Sequence, residues 1–143
     1  MPRDNEREMS QENVEKVRAA MEAWNRGDWE GALKDATPEF VVDNSTSLGE
    51  WRGVHRGADQ VKRMWQKFTE PWESVHIEID EFIEAGEDVV VTRQTARFVG
   101  RDGIELPGPV RSGWLWTFRD GAAIRLVAYN DLDDALEAAG LSE

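Results

Sequence analysis

Residues 112–131 constrain the fold of this chain more than any other stretch. Three aromatic residues in it are spaced by two, so that a β-strand would point all three rings to one side: Trp114, Trp116 and Phe118. Asp120-Gly121 then predicts a tight turn, because glycine adopts a positive φ without a steric penalty. Alternation resumes on the return strand at three apolar residues: Ile124, Leu126 and Ala128. The predicted hairpin therefore has one strongly apolar face, which other elements must cover.

The acidic composition limits the partners of the chain. The 143 residues carry a formal net charge of −12, which would repel phosphate groups, so we expect neither nucleic acid nor a membrane surface as a partner. The absence of cysteine excludes disulfides and thiolate chemistry. The length suits one core, and we predict a charged lead-in over residues 1–9 and a single domain over residues 10–143. The first nine residues are unlike a signal peptide, which predicts a cytoplasmic location.

The order of the predicted elements indicates an α+β domain. The predicted helices are one between a Ser10 cap and Gly27, a short one between Asp28 and Pro38, one over residues 58–68 and a last one over residues 131–139. The predicted strands cover residues 40–43, 75–83 and 89–98 and both arms of the hairpin. Residues 44–57 are predicted to form a long, functional loop. Helices followed by a mostly antiparallel sheet are typical of a domain with the helices on one face.

Three short motifs make the chain resemble the SnoaL-like proteins, which belong to the superfamily named after nuclear transport factor 2. They are Asn25-Arg-Gly-Asp28-Trp29, Phe118-Arg-Asp-Gly121 and Asp133-Asp-Ala-Leu-Glu-Ala-Ala-Gly-Leu141. The resemblance implies a cone-shaped roll, in which a bent sheet wraps around three helices and leaves an apolar cavity, with a short helix at the end. It also implies a homodimer through the outer sheet face. The family includes polyketide cyclases, ketosteroid isomerases, epoxide hydrolases and dehydratases, so the fold does not define the reaction.

The resemblance to the ketosteroid isomerases does not extend to their catalytic residues. Aligned on the first motif, the oxyanion-hole tyrosine of those enzymes falls on Ala20, and their catalytic aspartate falls on Asn44, beside Asp43. Aligned on the second motif, their protonated aspartate falls on Trp114. The chain therefore resembles this fold and departs from this chemistry.

Asp43 is the leading candidate for a catalytic base. It ends an apolar strand beside the predicted loop, where the mouth of a cavity would lie. Burial there would raise its pKa, so that the carboxylate could take a proton next to a carbonyl group. In the other interpretation, Asp43 only accepts hydrogen bonds from its own turn. His55, in the predicted loop, is a second catalytic candidate, and the alternative for it is a surface histidine.

A set of aromatic and amide side chains is predicted to bind the substrate: Asn44, Trp51, Trp65, Trp114 and Asn130. Aromatic walls with few polar groups suit a flat apolar ligand, but a closed core would use the same residues. The sequence has no His-x-x-x-His pattern and no cluster of carboxylates, so we expect no metal site and no cofactor.

Two further groups of polar residues have competing interpretations. Asp131, with Asp134 three residues later, is predicted to cap the last helix rather than to act as an acid. Arg93, Thr95 and Arg97 share one strand face, where the arginines would either neutralise a carboxylate ligand or pair with acidic residues across a dimer interface.

Three functional hypotheses follow. The first is a cofactor-independent cyclase or isomerase that uses Asp43 on a cyclic carbonyl compound. The second is a non-catalytic carrier or sensor, and in both cases the partner is a small apolar or aromatic molecule. The third is a dimeric scaffold with a filled cone. An open cavity with Asp43 turned away from it would favour the second hypothesis.

Overall fold

The computed structural model describes residues 2–46, 52–86, 88–101 and 110–141, with side chains from residue 11 onward. The described residues form four helices and six strands. The helices are α1 (Pro2–Asn25), α2 (Trp29–Ala32), α3 (Gly57–Thr69) and α4 (Leu132–Ala138). The strands are β1 (Ala36–Asp43), β2 (Val54–Arg56), β3 (Trp72–Glu84), β4 (Val89–Gly100), β5 (Val110–Arg119) and β6 (Ala122–Tyr129). The α+β class predicted from the sequence is confirmed.

All six strands belong to one sheet, in the order β2-β1-β6-β5-β4-β3. Four of the five neighbouring pairs are antiparallel, and only β1 and β6 run parallel. The sheet is therefore mostly antiparallel, as predicted. Apolar residues of α1 and α3 cover one face of it, which we call the inner face: Val17, Met21, Trp24, Val61 and Met64.

The first helix begins earlier than the sequence predicts. It extends from Pro2, so Ser10 lies inside α1 and the predicted cap at Ser10 is wrong. The reason is the composition of the first ten residues, which are rich in glutamate, arginine and methionine and contain no glycine. Pro2 does not interrupt the helix, because the first helical position needs no N–H donor.

Two other predicted boundaries are also wrong. The second helix ends at Ala32, and Pro38, which was expected to stop it, lies in β1. The register of β1 on β6 is irregular between Ala36 and Val41, and this irregularity accommodates the missing N–H of proline. The predicted loop over residues 44–57 contains β2, a strand of three residues that pairs with the end of β1.

The predicted hairpin is formed by β5 and β6. Asp120 and Gly121 join the strands with φ angles of 52° and 80°, which is the left-handed region that glycine favours. Trp116 and Phe118 are buried in the core, as their spacing predicts.

One residue of the return strand departs from the predicted alternation. The register of β6 on β5 shifts between Thr117 and Phe118, and Phe118 pairs with Ala123. Ala123 is therefore buried on the inner face, at the place predicted for Ile124. A bulge of this kind inserts one extra residue and reverses the facing of those beyond it.

Helix α4 lies on the opposite, outer face of the sheet. Gly113 alternates with Trp114 and Trp116, so a side chain at this position would point outward. A Cβ built there would lie 2.6 Å from the Asp131 carbonyl oxygen and 2.8 Å from the Leu132 Cα. The start of α4 therefore occupies part of the face through which the family resemblance predicts a homodimer, and the dimer stays a prediction.

The predicted cap of the last helix, Asp131, is confirmed. The Asp131 carboxylate accepts a hydrogen bond of 2.8 Å from the Asp134 backbone N–H, as an N-cap does. No helix in the described part of the chain is both long enough and apolar enough to cross a bilayer.

Candidate functional site

A cavity of about 500 Å³ lies between the helices and the inner face of the sheet. Its walls come from α1, α2, α3 and from all strands except β2. Most of the lining side chains are aliphatic or aromatic. This volume lies within the range of about 300–1,000 Å³ that is usual for small-molecule sites. Side chains therefore do not fill the space between the helices and the sheet, and the cavity predicted from the family resemblance is present.

One wall of the cavity is a group of aromatic rings from α1 and α3. The Trp65 ring lies edge-on to Trp24 at 6.3 Å, and Phe68 lies 6.3 Å from Trp24. Phe98 on β4 continues this wall, at 5.7 Å from Phe68. All four side chains line the cavity. Flat rings held by one another in this way form a rigid surface against which a planar molecule can stack.

Four of the five predicted substrate-binding residues line this cavity: Asn44, Trp65, Trp114 and Asn130. Trp114 packs against Trp116 at 5.9 Å on the sheet side. The buried amide of Asn44 points its Nδ2 at the Met64 sulfur, 3.4 Å away. Asn130 is exposed at the end of β6. The fifth residue, Trp51, lies outside the described residues.

Asp43 does not line the cavity. Phe40, Val42 and Asn44 point inward from this part of the chain, so the alternation turns Asp43 away. Its carboxylate accepts hydrogen bonds from the Ser45 hydroxyl and from the Ser45 N–H, the latter at 3.0 Å. The Arg125 guanidinium lies 3.3 Å from the second carboxylate oxygen.

The pKa of Asp43 is shifted in the direction opposite to the predicted one. The hydrogen bond from the Ser45 side chain is the largest effect on its pKa, and with the Arg125 charge it outweighs burial. The pKa of Asp43 is therefore lowered, and the prediction that burial raises it is wrong. This carboxylate organises its own turn, which was the alternative interpretation.

His55 is not among the residues that line the cavity. It lies on β2, opposite Val42, and is partly buried at the edge of the sheet. The structure therefore does not bring together the two predicted catalytic residues and the predicted binding residues in one site. A catalytic role for His55 stays a prediction.

One fully buried polar residue on the inner face, Gln94, is not among the residues predicted from the sequence. Gln94 is 0% exposed and lines the cavity from β4. Its Oε1 accepts a hydrogen bond of 2.8 Å from the Thr92 hydroxyl, and its Nε2 donates one of 2.7 Å to the Ser112 hydroxyl. The sequence pattern that indicates an inward-facing Gln94 is the alternation of β4, because Gln94 is an even number of residues from the apolar Val90 and Ala96.

The arginines of β4 point the other way. Arg93 lies 3.5 Å from the Glu81 carboxylate of β3, and Thr95 donates a hydrogen bond to Asp80 of the same strand. The acidic partner of Arg93 therefore belongs to the same chain, and pairing across a dimer interface stays a prediction. The arginines do not line the cavity, so neutralisation of a cavity ligand by them is not supported.

Within the part of the chain that the structure describes, three charged residues contribute to the cavity wall: Lys16, Asp35 and Arg111. Lys16 of α1 donates a hydrogen bond to the Gly121 carbonyl oxygen of the hairpin turn, and Asp35 is exposed beside β1. Arg111 is exposed at the start of β5. Among the described residues, Asp35 is the only carboxylate of the wall, and no histidine contributes to it. No three His, Asp or Glu side chains within the described ranges are grouped so that they could hold a metal ion.

The chain thus combines an α+β fold, a mostly antiparallel sheet and an apolar cavity between sheet and helices. The model of the SnoaL-like domain matches residues 17–126, which is more than half of the chain. The chain therefore belongs to the SnoaL-like family. No curated protein gives a significant sequence match to it.

Solved structures with the same fold share little sequence with the chain. An NTF2-like protein of unknown function from Burkholderia pseudomallei is 23% identical with a TM-score of 0.72, covering 88% of this chain and 95% of that chain. TerC, co-crystallised with polyporic acid, is 22% identical with a TM-score of 0.74, covering 90% and 98%. A Mycobacterium tuberculosis protein in complex with estradiol-17β-hemisuccinate is 13% identical with a TM-score of 0.71, covering 85% and 95%. At these identities the likeness extends to the fold alone.

Proposed function

We propose that this protein binds a flat, mainly apolar small molecule in the cavity and acts as a carrier or sensor of it. The observation that carries the proposal is an open cavity of about 500 Å³ with a wall of aromatic side chains that contact one another edge to face. Leaving this surface wet would be unfavourable by about 25 cal/mol per Å² of apolar area, so a ligand that covers it gains affinity. Two proteins of the same fold are crystallised with ring-containing molecules, polyporic acid and estradiol-17β-hemisuccinate.

The geometry favours binding over the predicted catalysis by Asp43. A general base must come within about 3 Å of the proton that it removes, and Asp43 is turned away from the cavity. Its lowered pKa also makes it a weaker base than an ordinary aspartate. Ala20, where the ketosteroid isomerases have a tyrosine, lines the cavity and has no hydroxyl to offer. A cyclase or isomerase of the predicted kind would need another acid or base.

Tryptophan fluorescence tests this proposal directly, because five of the described tryptophans line the cavity: Trp24, Trp65, Trp72, Trp114 and Trp116. Polyporic acid, estradiol-17β-hemisuccinate and 9-fluorenone are titrated into the wild-type protein. We expect saturable quenching by at least one of them. If all three fail to quench at their solubility limits, the proposed function is wrong.

A matched pair of variants on α1 locates the binding site. Ala20→Phe places a ring inside the cavity, whereas Ala19→Phe places the same ring on the exposed side of the same helix. We expect Ala20→Phe to weaken binding at least tenfold and Ala19→Phe to leave it within about twofold, since only the first removes ligand volume. Equal effects of the two variants would place the ligand elsewhere.

The same ligands separate a carrier from an enzyme. The proposal expects the bound compound to be recovered unchanged by mass spectrometry after prolonged incubation. Conversion that is lost in Asp43→Asn, with ligand binding retained, would restore the enzymatic hypothesis, because retained binding shows that the variant is folded.

A further inference from the structure

Four side chains of β4 and β5 form one series of hydrogen bonds, and three of them line the cavity: Trp116, Gln94 and Ser112. The Trp116 indole Nε1–H donates to the Thr92 hydroxyl at 3.1 Å. The Thr92 hydroxyl donates to Gln94 Oε1 at 2.8 Å, and Gln94 Nε2 donates to the Ser112 hydroxyl at 2.7 Å. Thr92 and Gln94 are each 0% exposed. The hydrogen bonds of Thr92 and Gln94 are thus shielded from bulk water, and only Ser112 is partly exposed.

The direction of these bonds is set by their first member. An indole N–H is a donor only, so the Thr92 oxygen accepts from Trp116 and its own hydrogen must go elsewhere. Gln94 Oε1 receives that hydrogen, which leaves the Gln94 amide nitrogen facing Ser112. The opposite amide orientation would direct an N–H at an oxygen that already accepts one, and would leave the buried Thr92 hydrogen without this acceptor.

Ser112 is the last residue in this series of hydrogen bonds and the most exposed of the four. It is partly buried, lies on the inner face of β5 and lines the cavity. Its oxygen already accepts the Gln94 N–H, so its own hydrogen is available to donate. Within the described residues, the structure records no acceptor for that hydrogen.

We infer that the Ser112 hydroxyl donates a hydrogen bond to a carbonyl oxygen of the ligand, with Thr92 and Gln94 as positioning residues. The inference rests on the proposed function and narrows its ligand class to flat, neutral ketones or quinones. A neutral acceptor fits because the uncharged Ser112 donor does not compensate for the desolvation of an anion. Of the two cations among the described wall residues, Lys16 already donates to a backbone carbonyl oxygen of the hairpin turn and Arg111 is exposed to solvent. The net charge of −12 disfavours an anionic ligand further.

A pair of ligands with nearly the same shape tests the inference. 9-Fluorenone and fluorene differ at one position, where a carbonyl replaces a methylene group. We expect the wild-type protein to bind the ketone about threefold to tenfold more tightly, as one neutral hydrogen bond provides. The infrared stretch of the bound carbonyl should lie at lower wavenumber than in hexane, which requires a donor and not merely an apolar fit.

Substitutions identify the donor. Ser112→Ala and Gln94→Met should bring the ratio of the two dissociation constants close to one and return the carbonyl stretch toward its hexane value. Ser112→Thr keeps the hydroxyl and should keep the preference. Ser74→Ala, an exposed serine on β3, is the matched control and should not change the ratio.

The outcomes separate this inference from the proposed function. If both compounds bind the wild-type protein equally, with an unshifted carbonyl stretch, the cavity stands and the role of Ser112 is wrong. A preference for the ketone that persists in Ser112→Ala also overturns it. If neither compound binds while polyporic acid or the steroid does, the cavity accepts ligands but not this class, and the inference again fails.

Discussion

At the scale of single residues, Asp43 is a candidate catalytic base in the sequence, but in the structure its carboxylate stabilises a turn. In Phe-Val-Val-Asp the only polar residue is the last one, Asp43, so the sequence alone does not show whether this residue faces the cavity or away from it. In the structure the turn at Ser45 and the charge of Arg125 surround the carboxylate. Contacts that stabilise the ionised form make a good structural anion and a poor proton acceptor.

We predict that the contribution of Asp43 to stability is lost in acid. The contacts with Ser45 and Arg125 lower its pKa in the folded state, so its stabilising contribution is complete above about pH 4. The contribution disappears as the pH falls through the lowered folded-state pKa. Denaturant unfolding of wild type and Asp43→Asn should therefore differ at pH 7 and converge below pH 4.

The control for this experiment is Glu39→Gln, which removes an exposed carboxylate from the same strand. We expect its free energy of unfolding to stay within about 0.5 kcal/mol of wild type at neutral pH. A gap between wild type and Asp43→Asn that widens in acid would contradict the lowered pKa.

At the scale of elements, the first family motif holds a helix to the edge of the sheet. Asn25 ends α1, and its side-chain amide accepts from the Ile77 N–H at 2.9 Å and donates to the Ile77 carbonyl oxygen at 2.7 Å. β3 is an edge strand of the sheet, so no strand among the described residues pairs with these backbone groups on that side. Asp28, three residues on, caps α2 by accepting from the Gly31 N–H.

We predict that Asn25→Ala destabilises the fold by about 1–3 kcal/mol, because it removes both bonds and leaves partly buried backbone groups unpaired. Arg26→Ala is the control. Arg26 is exposed, and its distance of 3.8 Å from Asp28 indicates a weak surface ion pair. The measurement is urea unfolding. Equal effects of the two substitutions would show that the amide pairing contributes nothing beyond the local turn.

The close approach of α4 to β5 gives another prediction. A Cβ at Gly113 would overlap backbone atoms of Asp131 and Leu132, so Gly113→Ala should displace the start of α4 and cost about 1–3 kcal/mol. Hydrogen exchange of the α4 amides should become faster. In Gly27→Ala the space is open but the φ of +80° is strained, so we expect a loss of about 1 kcal/mol without any change at α4. Unchanged α4 exchange in Gly113→Ala would contradict the proposed contact.

The elements also show what the sequence could predict. Long periodic segments, such as α3 and the β5–β6 hairpin, were located within a few residues, because their apolar patterns repeat over several turns or pairs. The strand β2 was missed because three residues carry no period and depend on pairing with β1. Gln94 could have been found by its parity, whereas the bulge at Phe118 could not, since it depends on the register between two strands.

At the scale of the whole molecule, the cavity is built from nearly every layer of the fold. Val17 and Trp24 of α1, Met64 of α3 and Leu126 of β6 contribute both to the core and to the cavity wall. Ligand binding and folding therefore depend on the same side chains. A molecule that fills the cavity binds the folded chain and not the unfolded one, so binding should raise stability.

We predict that a bound ligand raises the melting temperature of the protein. At a free ligand concentration of one hundred times the Kd, the folded state gains about 2.7 kcal/mol, which corresponds to roughly 5–10 °C for a chain of this size. Calorimetry of the wild-type protein with 9-fluorenone or estradiol-17β-hemisuccinate measures this shift. Ala20→Phe, titrated at the same ligand concentrations, should show a much smaller shift, because its ring occupies the cavity. Quenching without any shift would mean that the ligand contacts a tryptophan on the surface and leaves the cavity empty.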